Sequence, residues 1–195
     1  MAYKLIALTV DELGTSRVYM GGETGPSSMV MVHQSASLYQ RVAINPLDPL
    51  KAVAAGPDVL AYTSDGGSSW NTTVLSGADI RNLQWIDANK LGICTKGGVQ
   101  TSLDGGATVG SLVGTSLGLE TLDAYFVTDQ EFFFISQFIS GPHTSHLYHT
   151  LNGGGAIEDA VISDSPSWNS VECVRRIVPE TVIGPTRYFL LLTSH

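Results

Sequence analysis

Charged side chains are scarce in this chain. They make up 14% of its 195 residues, against roughly 25% in an average soluble domain. Only ten residues are lysine or arginine. A surface that binds phosphate backbones needs clustered basic side chains, and the one adjacent basic pair here is Arg175-Arg176. The sequence therefore predicts no nucleic-acid partner, and its net charge of −8 indicates an ordinary acidic surface.

Cysteine and long apolar runs are also scarce. The two cysteines, Cys94 and Cys173, allow either one disulfide or two buried thiols at strand positions. The N-terminal apolar run Leu5–Val10 is too short for a secretory signal and far too short to span a membrane. We therefore expect a soluble protein without a classical export signal, located in the cytoplasm or, for a phage protein, in the virion. No motif indicates a cofactor.

Helical periodicity is nearly absent, whereas short apolar runs and glycine-containing turns recur along the chain. Glycine accounts for 21 residues and apolar types for 43%. Strands separated by turns at this density predict an all-β fold, with residues 1–195 as one domain. The predicted strands include Leu5–Val10, Arg17–Met20, Met29–Val32, Lys51–Ala55, Val59–Tyr62, Trp70–Leu75, Leu83–Ile86, Leu91–Cys94, Thr121–Val127, Phe132–Ile135, His146–His149 and Tyr188–Leu192.

Three segments of this pattern repeat one another. The copies are residues 62–70, 101–109 and 149–157. From its second residue on, each copy has a hydroxyl residue, any residue, Asp or Asn, two glycines, any residue, a small residue and a large apolar residue. Their Asp or Asn positions are 39 and 48 residues apart. One four-stranded propeller blade occupies roughly 40–50 residues. The spacing therefore favours one copy per blade.

The repeated segment has the chemistry of a hairpin turn. Asp-Gly and Asn-Gly are strong hairpin signals because the glycine adopts a positive φ without steric cost. The Asp or Asn side chain accepts hydrogen bonds from turn amides, and the preceding hydroxyl bonds it in turn. We therefore assign these residues a structural role. They are Thr63, Asp65, Gly67, Trp70, Ser102, Asp104, Gly106, Thr108, Thr150, Asn152 and Gly154.

These residues resemble the Asp-box (BNR) motif, Ser-x-Asp-x-Gly-x-Thr-Trp. The first copy departs from it by Thr63 and Ser69, and the second has Val109 in place of the tryptophan. The third is looser, with Asn152 and Ile157. The resemblance is to a family of β-propellers whose members include sialidases, sortilin-like receptor ectodomains and photosystem assembly factors. It implies propeller blades, with the boxes on the outer rim, away from the face that usually binds.

Two half-matches extend the repeat to about four or five blades. Residues 31–39 have the strand, small turn and aromatic layout without Asp or Gly. Tyr188–Leu192 followed by residues 193–195 is similar to a strand that leads into a box. The last blade then lacks its outer strand. Either the N-terminal strand Leu5–Val10 supplies it and closes the ring, or a second copy or another protein completes it.

A sialidase would need features that the chain does not match. The family resemblance implies an arginine cluster, a Tyr–Glu nucleophilic pair, an acid/base Asp and an Arg-Ile-Pro-like segment before the first box. The nearest segment, Arg176-Ile177-Val178-Pro179, is interrupted by valine and follows the last box. A carbohydrate-binding propeller remains the alternative. It requires Trp85 or Trp168 exposed on the face that holds Arg81 or Arg176, rather than packed between blades.

His143, His146 and His149 are spaced like a metal cluster. Residues three apart on a strand point to opposite faces, so His146 and His149 do not share a ligand sphere on a regular strand. We expect no metal site. The function that the sequence favours is a non-enzymatic structural or interaction scaffold that binds other protein subunits. A bacteriophage tail or nozzle component is the narrower hypothesis, and a glycan-binding or sialidase-like protein is the alternative.

Overall fold

The computed structural model describes residues 5–22, 28–76, 79–114, 119–138, 145–163, 171–180 and 187–194. Within these residues the chain forms sixteen β-strands and no helix. The described residues therefore contain no helix that is long and apolar enough to cross a membrane. The strands are β1 (Leu5–Val10), β2 (Ser16–Gly21), β3 (Val30–Ser35), β4 (Arg41–Ile44), β5 (Ala52–Gly56), β6 (Val59–Thr63), β7 (Asn71–Val74), β8 (Ile80–Trp85), β9 (Leu91–Thr95), β10 (Gly98–Ser102), β11 (Leu119–Phe126), β12 (Phe132–Phe138), β13 (Ser145–Thr150), β14 (Glu158–Ser163), β15 (Val171–Glu180) and β16 (Arg187–Ser194).

The strands form five antiparallel sheets, each built from consecutive strands. Sheet 1 is β1–β3, sheet 2 is β4–β7, sheet 3 is β8–β10, sheet 4 is β11–β14 and sheet 5 is β15–β16. The place of a fourth strand in sheet 3 holds a single bridge, between Val99 and Val113. The first strands β4, β8, β11 and β15 pack against one another in sequence. This stacking of small meander sheets confirms the predicted all-β, blade-like array.

Sheet 1 is offset by one strand from the others. In sheet 2 the amide of Leu75, which follows the fourth strand, donates to the carbonyl of Asp58 just before the third strand. In sheet 1 the amide of Tyr39, which follows β3, donates to the hydroxyl of Ser16 at the start of β2. β1 therefore occupies the second-strand position of its sheet, and β2 and β3 occupy the third and fourth positions. The predicted half-match at residues 31–39 is consequently wrong, because residues 30–35 are the fourth-position strand and residues 36–40 connect it to β4.

The N-terminal strand is paired locally. β1 forms a continuous antiparallel ladder with β2, from Leu5 opposite Gly21 to Val10 opposite Ser16. The turn between them is closed by Asp11, whose side chain accepts hydrogen bonds from the amides of Leu13 and Thr15. Such a short turn favours pairing with the next strand over pairing with a distant one. Among the described residues β1 pairs with β2 alone and β16 with β15 alone, so the structure there shows no pairing of Leu5–Val10 with the last sheet.

The core is divided between the sheets. One apolar cluster lies between sheets 1 and 2 around Val18 and Tyr39, a second between sheets 2 and 3 around Leu60 and Ile93, and a third between sheets 3 and 4 around Phe134. Phe132 and Phe134 on one face of β12 and Ile135 on the other are all buried, so this strand is covered on both faces.

Cys94 belongs to the third cluster. The residue is a free thiol with no exposed surface. Burial raises the pKa of the Cys94 thiol well above its ordinary value, which keeps it protonated and unreactive. The buried-thiol alternative is therefore correct for Cys94, while the side chain of Cys173 lies outside the described residues.

Side-chain amides join neighbouring sheets at intervals of about one repeat. Gln84 donates from Nε2 to the carbonyl of Phe126 at 2.7 Å, and its Oε1 accepts from the amide of the same residue at 3.0 Å. Gln40 likewise accepts from the amide of Ile80 at 2.7 Å and donates to Asp79. These clamps satisfy backbone groups on the first strand of the next sheet, where no further strand of the same sheet pairs with them.

Candidate functional site

The first box turn is a closed network of short hydrogen bonds. The hydroxyl of Thr63 donates to Oδ1 of Asp65 at 2.8 Å and accepts from the amide of Gly67 at 3.0 Å. The amide and hydroxyl of Ser69 both donate to the Asp65 carboxylate. These hydrogen bonds, led by that of the Ser69 hydroxyl, lower the pKa of Asp65 to about 2. The carboxylate thus holds both ends of the turn.

The second turn repeats this network. Ser102 donates to Asp104 at 2.9 Å and accepts from the amide of Gly106 at 2.8 Å. Thr108 donates to Asp104 from its amide at 2.8 Å and from its hydroxyl at 2.7 Å. The two networks match atom for atom, although Thr63 replaces Ser102 and Ser69 replaces Thr108.

The third turn keeps the frame with fewer bonds. Thr150 donates to Oδ1 of Asn152 at 3.1 Å and accepts from the amide of Gly154 at 3.0 Å. The amide of Ala156 donates to the same Oδ1 at 2.7 Å. Asn152 therefore serves as the acceptor that the aspartate supplies in the other turns. The hydroxyl-to-carboxylate bond is lost because alanine has no hydroxyl.

The ionised state of Asp65 gives the first turn a definite pH dependence. Because its folded-state pKa is about 2, below the ordinary 3.8, its contribution to stability is present above about pH 4 and lost as the pH falls from about 4 toward 2. We expect Asp65→Asn, which keeps the acceptor as Asn152 does, to unfold with a smaller change of midpoint across that window. Urea titrations from about pH 5 to pH 2 measure it, and identical pH profiles would contradict this role.

Each turn is tied to the loop between the first two strands of its own sheet. The amide of Gly66 donates to the carbonyl of Leu50 at 2.9 Å, that of Gly105 to Asn89 at 2.7 Å and that of Gly153 to Gln130 at 2.8 Å. We call the surface formed by these loops and turns the box end: loops 45–51, 86–90 and 127–131, with turns 63–70, 102–109 and 150–158.

The loops of the box end are internally braced and linked to one another. Asn45, Asp87 and Thr128 each accept two amide hydrogen bonds from the residues that follow them. Lys51 donates to the carbonyl of Ala88 at 2.9 Å, and Lys90 lies 2.6 Å from Asp129. The loops therefore form one connected surface. Asn45, Asp87 and Thr128 lie 42 and 41 residues apart in the sequence. They form a second repeat that the sequence alone did not reveal.

Four leucines project from the box end into solvent. Leu47 and Leu50 lie on the loop of sheet 2 and are 70% and 45% exposed, while Leu103 and Leu151 lie in the second and third turns and are 57% and 64% exposed. Leu103 and Leu151 both occupy the variable position before Asp or Asn, which is Ser64 in the first turn. Sequence analysis missed them because that position carries no turn chemistry.

The last residue of each box lies in a different environment. Trp70 is partly buried and stacks on His33, with ring centroids 4.8 Å apart, at the boundary of sheets 1 and 2. Val109 packs against the cluster between sheets 2 and 3. Ile157 is 40% exposed. The apolar anchor of the motif thus weakens along the chain together with its polar bonds.

The opposite end of the sheets carries a compact ionic cluster. Arg81 pairs with Glu120, and Lys96 lies 3.7 Å from the same carboxylate. Arg41 donates to the carbonyls of Arg81 and Gln40. The Glu120 carboxylate is therefore shared between two cations, Arg81 and Lys96.

Trp85 lies away from this cluster. It ends β8, which Arg81 nearly begins, so about four residues of strand, or roughly 13 Å, separate them. Its indole donates to the carbonyl of Ala43 at 3.4 Å and packs against the cluster between sheets 2 and 3. A sugar-binding face would need Trp85 exposed on the face that holds Arg81, and Trp85 does not meet this condition. Trp168 lies outside the described residues.

His146 and His149 lie in different surroundings. His149 stacks on Phe133 with centroids 4.2 Å apart and lies 3.5 Å from Glu131 and 3.6 Å from Glu158. His146 stacks on Tyr148. Among the residues that the structure describes, no group of three His, Cys, Asp or Glu side chains could hold a metal ion. His143 lies outside them.

Comparison with known proteins identifies the fold. No family model matches the chain, and no curated protein matches it. Among solved structures, the chain is similar to an ancestral GH74 enzyme (TM-score 0.58, 15% identity, 82% of this chain and 26% of that one). It is also similar to the N-terminal domain of Nup159 (TM-score 0.54, 12% identity, 98% and 57%) and to YCF48 from Cyanidioschyzon merolae (TM-score 0.50, 16% identity, 80% and 55%).

These neighbours are β-propeller proteins, and they confirm the predicted propeller-type fold. The chain spans between 26% and 57% of their lengths. At identities of 12–16% the likeness concerns the path of the chain alone. One fold of this kind supports many unrelated functions, so the fold alone does not identify the function of this chain.

Proposed function

We propose that this protein is a non-enzymatic interaction scaffold and that it binds other protein subunits through the box end. The observation that carries the proposal is the set of four exposed leucines, Leu47, Leu50, Leu103 and Leu151, on connected loops and turns of three consecutive sheets. Scattered apolar residues are normal on a protein surface, whereas several on one connected face are typical of an interaction site.

The bracing of the box end supports this role. The loop that carries Leu47 and Leu50 is held by the side chain of Asn45. Leu103 lies between Ser102 and Asp104, whose side chains are hydrogen-bonded to each other. Backbone that is already ordered loses little conformational entropy when a partner binds. A rigid face with exposed leucines is therefore suited to docking without rearrangement.

The narrower proposal is that the partners are the subunits of a bacteriophage tail or nozzle. It rests on the style of the sequence, a glycine-rich β protein with few charges and weak repeats. Mass spectrometry of purified virions tests it. A chain found only outside particles would leave the scaffold proposal standing and end the virion one.

The scaffold proposal predicts a specific loss of assembly. Leu47→Ser, Leu103→Ser and Leu151→Ser together are expected to leave the folded chain intact, because exposed substitutions change the free energy of unfolding by at most about 0.5 kcal/mol each. The native mass of the tagged chain in extracts of its source is expected to fall from that of a complex to that of the free chain. Size-exclusion chromatography with light scattering measures the mass.

A matched control lies at the other end of the sheets. Leu13, Leu38 and Val74 are also exposed, and replacing these three by serine removes similar apolar area away from the box end. This variant is expected to stay in the complex. If the control variant leaves the complex while the box-end variant stays in it, the docking surface lies at the opposite end and the proposed site is wrong.

A glycan-processing propeller remains the second candidate, favoured only by the ionic cluster of Arg41, Arg81 and Lys96 at the opposite end. Cleavage of a fluorogenic sialoside, or binding on a glycan array that Arg41→Ala abolishes, would support it over the scaffold. We expect neither.

A further inference from the structure

The two ends of the sheets differ in charge. The loops and turns of the box end hold seven carboxylates and two lysines. The opposite end, formed by residues 11–17, 36–41, 56–59, 79–81, 95–98 and 119–120, holds five carboxylates and four basic side chains. The excess negative charge of the described loops is therefore concentrated at the box end. Its carboxylates are Asp48, Asp65, Asp87, Asp104, Asp129, Glu131 and Glu158.

Hydrogen bonds lower the pKa of four of these carboxylates, Asp65, Asp87, Asp104 and Asp129. Backbone donation from Asn89 lowers the pKa of Asp87, and the hydrogen bond from Lys90 lowers that of Asp129. Burial raises the pKa of Asp104, but hydrogen bonds from Thr108 and Ser102 outweigh it and the net shift is downward. A partner therefore meets a negative field that does not titrate away near neutral pH.

The two lysines of the box end are already engaged. Lys51 lies 3.4 Å from Asp48 and bonds the carbonyl of Ala88, and Lys90 bonds Asp129. Asp65 and Asp87 bond turn amides and hydroxyls rather than a cation. Their charge remains to be matched from outside, and its field extends about one Debye length, roughly 8 Å at physiological salt.

Charge and exposed leucines lie on the same segments. Asp48 falls between Leu47 and Leu50, and Leu103 directly precedes Asp104. A partner that covers the leucines must approach these carboxylates. Anionic lipid surfaces and nucleic acids are repelled by such a field, and an acidic protein patch faces the same cost.

We propose that the box end binds a protein segment that presents leucine-type side chains flanked by lysine or arginine, in the manner of a basic amphipathic helix. The leucines would provide the buried contact, and the surrounding carboxylates would select the basic partner and speed its approach. This inference rests on the proposed scaffold function and names the chemistry of its partner.

The test uses two synthetic amphipathic peptides of equal length and identical leucine faces, one with lysines and one with glutamates on the polar face. Fluorescence anisotropy of the labelled peptides measures their binding to the full chain. We expect the lysine peptide to bind and the glutamate peptide to bind at least ~30-fold more weakly. Raising the salt several-fold is expected to weaken the lysine peptide about tenfold, because the Debye length shortens.

Three variants locate the binding. The leucine variant (Leu47→Ser, Leu103→Ser, Leu151→Ser) is expected to lose at least about tenfold in affinity. The charge variant (Asp48→Asn, Glu131→Gln, Glu158→Gln) is expected to lose about as much. A control of equal charge change at the opposite end (Asp11→Asn, Glu12→Gln, Asp58→Asn) is expected to lose less than about threefold, because that end lies beyond the Debye length.

Every outcome separates this inference from the function that it rests on. Equal binding of both peptides, or equal loss in the charge variant and its control, would overturn the selection of a basic partner. The same holds if neither peptide binds although the chain forms a complex that the leucine variant disrupts. If the chain forms no complex with protein and neither peptide binds, the scaffold function itself fails.

Discussion

Replacing Gly67 by alanine is expected to lower the free energy of unfolding by about 2–5 kcal/mol, a large share of the roughly 5–15 kcal/mol of a typical domain. Two effects add. Gly67 has a φ of +88°, where an L-residue costs about 1–2 kcal/mol. A Cβ there would lie 2.7 Å from Cβ of Val32 in sheet 1, and forced overpacking costs about 1–3 kcal/mol.

Gly14 separates these two effects. Its φ is +80°, and a Cβ built on it meets nothing within 4 Å. Gly14→Ala is therefore expected to lose only the backbone part, about 1–2 kcal/mol. Urea unfolding of both variants gives the difference directly. Equal losses would show that the first turn does not hold sheet 2 against sheet 1, and would leave the box glycine with a purely local role.

The blade-like array could be predicted because its signals are local. Asp65-Gly66, Asp104-Gly105 and Asn152-Gly153 each specify a turn within a few residues, and the apolar runs beside them can only be strands. The hydrogen bonds that the structure shows at Thr63 and Ser102 follow the same local logic.

The offset of sheet 1 could not be predicted in this way. The sequence between β2 and β3 lacks the Asp that marks the boxes, while Ser35 and Ser37 supply small hydroxyl residues at and just after the end of β3. Their own hydrogen bond, from the amide of Ser37 to the hydroxyl of Ser35 at 3.0 Å, builds a connection rather than a hairpin. Composition alone does not distinguish the two.

The box end was hidden for a different reason. Whether Leu47 and Leu103 share a face depends on which loops come together when the sheets stack, and that is a long-range property. The family resemblance also implies that the binding face lies away from the boxes. Only the bonds that link loop to turn, such as Gly105 to Asn89, place these leucines on one surface.

The amide clamps between sheets lead to the second large effect. Gln84→Ala is expected to lower the free energy of unfolding by about 2–6 kcal/mol, because it leaves both the amide and the carbonyl of Phe126 without their partner, at about 1–3 kcal/mol for each buried group. Phe126 is almost fully buried on the edge strand β11 of sheet 4. Urea unfolding measures the loss, and hydrogen exchange at the Phe126 amide is expected to become faster.

Gln34→Ala provides the matched control. It removes the same amide from β3, where the side chain is exposed, so its effect is expected to stay within about 0.5 kcal/mol. The contrast decides how the sheets are held. If Gln84→Ala costs no more than Gln34→Ala, apolar packing alone joins sheets 3 and 4. If the predicted loss appears and exchange accelerates at Phe126 alone, the polar clamp holds the register between sheets 3 and 4. The apolar side chains of Val99 and Phe126, which pack in the same cluster, cannot do this because apolar contacts are non-directional.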